Sequence, residues 1–133
     1  MTEKELIDLA IRSMKNSYSP YSGCMVGAAL LTKSGKVFTG CNVENASFSA
    51  TICAERTAVF KAISEGEREF SAIAVAGGKD GKVQGFMPCG VCRQVLSEFG
   101  AKDMKILVAK EDESFNAFTL NELLPKAFEG DFI

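Results

Sequence analysis

Apolar residues recur at helical spacing at the start of the chain. Leu6, Ile7, Ala10, Ile11 and Met14 fall on one face, and Thr2 with Glu5 three residues on has the form of a capping box. The pattern predicts a helix over residues 2–17, broken by Ser19-Pro20-Tyr21-Ser22-Gly23. Residues 26–32 are apolar and strand-like. A Ser34-Gly35 turn then leads into a second strand over residues 37–43. Residues 44–52 are small, polar and irregular. From residue 53 to about 64 the period is helical again, with Ala54, Ala58, Val59, Ala62 and Ile63 as the buried stripe and Gly66 as the stop. Residues 72–76 read as a strand buried on both faces and closed by Gly77-Gly78. A polar, Gly-rich loop follows, and Pro88 precedes a helix over residues 89–99 that ends at Gly100. Residues 104–109 form another apolar strand, residues 115–119 a weaker one, and residues 121–124 a helical turn stopped by Pro125.

This order predicts an α/β fold, a three-layer α/β/α sandwich around a mixed sheet of about five strands. The first two strands form an antiparallel hairpin, and those that alternate with helices run parallel. At 133 residues, with no repeat, linker or low-complexity stretch, the chain reads as a single domain over residues 1–133. Apolar residues make up 47% and charged residues 24%, which excludes disordered and fibrous classes. No apolar run approaches the roughly 20 residues of a membrane helix. The charged N-terminus lacks the apolar region of a secretion signal, so a cytoplasmic protein with no membrane contact is expected. A net charge of −2 argues against a nucleic-acid partner.

Two counts narrow the chemistry. The chain has no histidine, which excludes Ser-His-Asp and Cys-His catalysis and every imidazole metal ligand. It has five cysteines, an odd number that argues against a disulfide framework. Cys89 and Cys92 have the Cys-x-x-Cys spacing that lets two sulfurs on one turn hold a metal, and Cys53 opens the other predicted helix. Three thiolates leave the fourth tetrahedral position open, as a catalytic zinc requires. Glu55, two residues after Cys53, is then the natural proton carrier. A redox dithiol at Cys89 and Cys92 is the usual rival, but it leaves Cys53-Ala54-Glu55 unexplained. A four-cysteine structural zinc would have to recruit Cys24 or Cys41.

The chain resembles the cytidine deaminases of the small, homotetrameric, three-cysteine zinc type. Tyr18-Ser19-Pro20-Tyr21-Ser22, Val26-Gly27-Ala28-Ala29-Leu30, Gly40-Cys41-Asn42-Val43-Glu44-Asn45-Ala46, Cys53-Ala54-Glu55-Arg56-Thr57-Ala58, Pro88-Cys89-Gly90-Val91-Cys92-Arg93-Gln94 and Glu122-Leu123-Leu124-Pro125 follow the family patterns in order. The resemblance implies one zinc per chain on Cys53, Cys89 and Cys92. Zinc-activated water would attack C4 of cytosine in cytidine or 2'-deoxycytidine while Glu55 shuttles protons, giving the uracil nucleoside and ammonia in pyrimidine salvage. It also implies that Arg56 bonds to the ligand sulfurs, that Asn42 and Glu44 bind the ribose, and that Ala54 lies with the substrate-binding residues. Ala46 and Phe48 would reach a neighbouring subunit's pocket, and Phe128 would stack over the base from another subunit.

Two positions depart from the family pattern. Cys24 stands where a phenylalanine is common beside the base, and Phe48 where a tyrosine is common. Neither touches the metal or Glu55. Both bear on affinity and substrate preference, and another small amino-heterocycle such as blasticidin S is the alternative substrate. A non-catalytic zinc module is disfavoured by Glu55 and the open fourth position.

Overall fold

In a computed structural model, described over residues 1–130, five strands form one sheet in the order β2-β1-β3-β4-β5. They are β1 (Cys24–Thr32), β2 (Val37–Cys41), β3 (Phe70–Lys79), β4 (Gly100–Ala109) and β5 (Phe115–Thr119). Helix α1 (Glu3–Ser13) covers one face, while α2 (Ala54–Ser64), α3 (Gly90–Phe99) and the short α4 (Leu120–Leu123) cover the other. The expected three-layer α/β/α sandwich with a mixed sheet is therefore what forms. The hairpin β1-β2 is antiparallel and β3-β4 is parallel, as expected. Strand β1 also runs antiparallel to β3, and β5 antiparallel to β4. Strands β2, β3 and β4 thus point the same way.

Alternation along the strands separates two cores. Leu30, Ile73, Ile106 and Val108 face α2 and α3. Ala29, Ala72, Ala74, Ala76 and Leu107 face α1, where Leu6, Ile7, Ala10 and Met14 meet them. Glycines set how closely the helices lie on the sheet. A Cβ at Gly27 would come within 2.1 Å of the Ala10 carbonyl oxygen, and one at Gly40 within 2.6 Å of the Ala54 oxygen and the Ala58 nitrogen. Among the described residues no helix is long and apolar enough to cross a membrane.

Several boundaries differ from the sequence reading by a few residues, and three of the differences have a local physical reason. Helix α1 opens at the expected cap, with Thr2 Oγ1 accepting from the Glu5 N–H at 3.1 Å, but it ends at Ser13 and continues as a 3-10 turn over Met14–Asn16. The Ser17 N–H bonds to the Met14 carbonyl, and its hydroxyl is drawn across to Asn42. Strand β4 starts at Gly100, directly after α3, rather than at residue 104. Gly77 and Gly78 do not close β3 but lie within it, opposite Val26 and Met25. They are needed because the chain folds back over the strand. A Cβ at Gly78 would overlap the Lys82 carbonyl at 1.5 Å, and one at Gly77 would press on Phe86 at 3.1 Å.

Candidate metal centre and active site

Helices α2 and α3 both begin beyond the C-terminal ends of parallel-running strands, where open α/β sheets hold their ligands. Gly40 lets α2 settle on β2. Thr57 Oγ1 fixes the start of that helix by donating to the carbonyls of Cys41 at 3.0 Å and Cys53 at 3.2 Å. Cys53 occupies the N-cap of α2 and Cys89 the N-cap of α3, and neither helix has a side-chain cap hydrogen bond. Arg93 holds the approach to Cys89. Its Nε donates to the Pro88 carbonyl at 2.9 Å and its Nη1 to the Leu123 carbonyl at 2.8 Å, tying α3 to the end of α4.

The three cysteines predicted as ligands come together. Cys53 Sγ lies 3.6 Å from Cys89 Sγ, Cys89 Sγ lies 3.5 Å from Cys92 Sγ, and all three sulfurs fall within 4.8 Å of one another. A tetrahedral zinc with Zn–S bonds of about 2.3 Å spaces its sulfurs about 3.8 Å apart, so the donor set fits that ion. Their electrostatics agree. The Cys92 thiol and the Arg56 guanidinium, both aimed at Cys53, pull its pKa down to about 5. The Cys53 thiolate and burial together push the Cys92 thiol up. Three sulfurs this close share their protons unless a cation lies between them.

Glu55 and Arg56 flank the cluster. Glu55 is 3% exposed in the first turn of α2, and loss of hydration raises its pKa to about 7. Arg56 Nη2 donates to Cys53 Sγ at 3.3 Å, as the resemblance implied, while its buried Nε has no partner among the described residues. Ala54, the first residue of α2, is fully buried.

Asn42 and Glu44 lie just past β2 rather than in it, and their side chains already have internal partners. Asn42 Nδ2 donates to the Cys24 carbonyl at 2.8 Å, and its Oδ1 accepts from the Val26 N–H at 2.9 Å and from Ser17 Oγ at 2.5 Å. Glu44 Oε1 accepts from the N–H groups of Tyr21 at 2.9 Å and Ser22 at 3.1 Å, and Oε2 from Ser22 Oγ at 2.5 Å. These hydrogen bonds bind residues 17–26 to the end of β2. Cys24 opens β1 and is half-buried, with its N–H bonded to Ser22 Oγ. Tyr21, Ser22, Glu44, Phe48 and Thr51 line an open cleft of about 340 Å³, in which Tyr21 and Phe48 meet edge to face at 5.8 Å.

The remaining predicted residues are turned outward. Ala46 sits in an exposed bend, Phe48 is 74% exposed and Phe128 is 64% exposed. Phe128 is held to α3 through its carbonyl, which accepts from Gln94 Nε2 at 3.2 Å. Sequence reasoning assigned no role to Ser17, Ser22, Thr57 or Arg93, although all but Ser17 fall inside segments it singled out. For Ser22, Thr57 and Arg93 the signal was position: each stands within two residues of a predicted site residue and carries a side chain that can bond to backbone, whereas Ser17 had no such neighbour.

A buried carboxyl beside three zinc-spaced sulfurs is the outline of a metal-dependent hydrolytic enzyme. The comparisons agree. The profile of the cytidine and deoxycytidylate deaminase zinc-binding region matches residues 1–108. The chain is 46% identical to a cytidine deaminase of Halalkalibacterium halodurans, over 98% of this chain and 97% of that one. It is 47% identical to a probable cytidine deaminase of Dictyostelium discoideum, over 96% and 86%. It is also similar to the crystal structure of a cytidine deaminase from Burkholderia pseudomallei, with a TM-score of 0.88 and 44% identity over 96% of this chain and all of that one. The chain belongs to the cytidine and deoxycytidylate deaminase family, whose members are zinc enzymes.

Proposed function

We propose that residues 1–133 act as one deaminase domain that converts cytidine and 2'-deoxycytidine, with water, to uridine and 2'-deoxyuridine plus ammonia. Cys53, Cys89 and Cys92 would hold one zinc, which when bound acts as a Lewis acid and makes water at its open position a nucleophile at neutral pH. Glu55 takes one proton of the water that attacks C4 and delivers it to N3, then takes the second from the new C4 hydroxyl and passes it to the amino group, which leaves as ammonia. Its burial keeps that proton from bulk water. Arg56 offsets the negative charge that three thiolates leave on a divalent ion. Asn42 and Glu44 meet the ribose, and Ala54 lies beneath the base in the first turn of α2.

The observation that carries this reading is the buried Glu55 carboxyl in the first turn of a helix that starts at a metal-spaced sulfur. Its test is conversion of cytidine followed by ultraviolet absorbance, with zinc counted per chain, in the wild type and in Glu55→Ala. Turnover by the wild type alone, with one zinc in both, supports it. Zinc without turnover of either nucleoside overturns the substrate. A blasticidin-type substrate is not favoured, because the relatives that match over most of the chain are named cytidine deaminases.

The assembly we propose is a homotetramer in the cytoplasm whose pockets are completed across subunits by Ala46, Phe48 and Phe128. Exposed aromatics of this size are characteristic of contact surfaces. Phe128→Ala mixed with Glu55→Ala should regain part of the activity that each lacks alone if pockets are shared. Mixtures no more active than their components would refute sharing.

A further inference from the structure

The Glu44 carboxylate has about four acceptor positions, two on each oxygen. Three are filled, and all three donors come from Tyr21 and Ser22. The two N–H groups fill Oε1, and the Ser22 hydroxyl takes one position on Oε2. That hydroxyl is bonded on both sides. Its oxygen accepts from the Cys24 N–H at 3.0 Å, and Gly23, in the left-handed region at φ 73°, folds the chain so that this N–H points back at it. Its single hydrogen goes to the carboxylate, at 2.5 Å, the short distance of a charge-assisted bond. Among the described residues one acceptor position is left, on Oε2.

We infer that Ser22 is a positioning residue that orients Glu44 so that a single acceptor on Oε2 faces one sugar hydroxyl of the nucleoside. This rests on the proposed contact between Glu44 and the ribose. The same bond is the main cause holding Glu44 below the usual carboxylate range, which keeps it an acceptor. Ser22 also links the sugar contact to the base side of the site, because its oxygen is the partner of the first N–H of β1, at Cys24.

The test is steady-state kinetics with cytidine on the zinc-loaded enzyme for Ser22→Ala, Ser22→Thr, Glu44→Gln and the double variant Ser22→Ala/Glu44→Gln, with zinc content and thermal midpoint measured on each. Loss of the charge-assisted bond should raise KM about tenfold in Ser22→Ala, with kcat within about twofold and zinc unchanged. Ser22→Thr keeps the hydroxyl and should restore KM. In the Glu44→Gln background, Ser22→Ala should change KM by less than about twofold, since it acts through that carboxylate. An unchanged KM in Ser22→Ala alongside a raised KM in Glu44→Gln overturns the inference and leaves the ribose reading standing. An unchanged KM in Glu44→Gln removes the ribose reading and the inference with it. A fall in kcat or zinc content in Ser22→Ala, or an effect of full size in the double variant, means that Ser22 acts by another route and also overturns it.

Discussion

The Arg56 guanidinium donates to the Cys53 sulfur at 3.3 Å from one turn further along the same helix. A ligand and the cation that tempers its charge are thus set by one stretch of backbone and move together. Replacing Arg56 with Gln should weaken zinc retention by about 10- to 100-fold, the usual effect of removing a group that supports a metal ligand. Competition against a chromogenic chelator measures this directly, and retention equal to wild type would show that the contact is incidental.

Glu55 precedes Arg56 in the first turn of the same helix. Glu55→Ala should keep one zinc per chain and lower kcat by about 10²- to 10⁴-fold, the range expected when a proton carrier is removed. Near-normal turnover would remove Glu55 from the mechanism.

Gly40 fixes where α2 lies on β2. A methyl group there would meet the Ala54 oxygen and the Ala58 nitrogen at 2.6 Å, both of them backbone atoms that cannot rotate away. Gly40→Ala should cost about 1–3 kcal/mol of stability, the range for overpacking a close contact. Because Cys53 starts that helix, zinc affinity should fall with it. Denaturant unfolding and metal competition on the same sample test whether the two losses coincide.

On the proposed reading, Cys24 lies beside the base rather than the metal. Cys24→Phe should lower KM for cytidine several-fold and leave kcat and zinc content near wild type, since an aromatic wall contributes about 0.5–1.5 kcal/mol beyond its buried area. A KM identical to the parent would mean that the residue at this position does not contact the base.

Much of this was legible in the chain. The capping pair Thr2 and Glu5, the Ser34-Gly35 turn and the paired starts at Cys53 and Cys89 fixed most of the elements, because each is a local signal read within four residues. The metal cluster was legible for the same reason, since Cys-x-x-Cys and Cys53-Ala54-Glu55 are short spacings on helix starts. What could not be read was contact between distant segments. Gly77-Gly78 carries the same letters whether it ends a strand or admits a crossing chain, and only the position of Lys82 decides. Asn42 and Glu44 stood out as polar, yet their binding of residues 17–26 depends on a loop that the alternation of apolar positions does not describe.

The two helices that open at Cys53 and Cys89 have no hydroxyl or carboxylate at the cap, where α1 has Thr2 and α4 has Thr119. A serine or threonine there would secure a helix start by itself. A cysteine leaves it to what the sulfur holds and to the neighbouring Thr57 and Arg93. The working end of this enzyme is therefore clasped by its own cofactor, while the α1 side of the sheet closes on apolar packing and an exposed ion pair between Glu3 and Lys105, neither of which involves a metal. Starvation for the metal should loosen the molecule from one end, at both helix starts together, and spare the opposite layer.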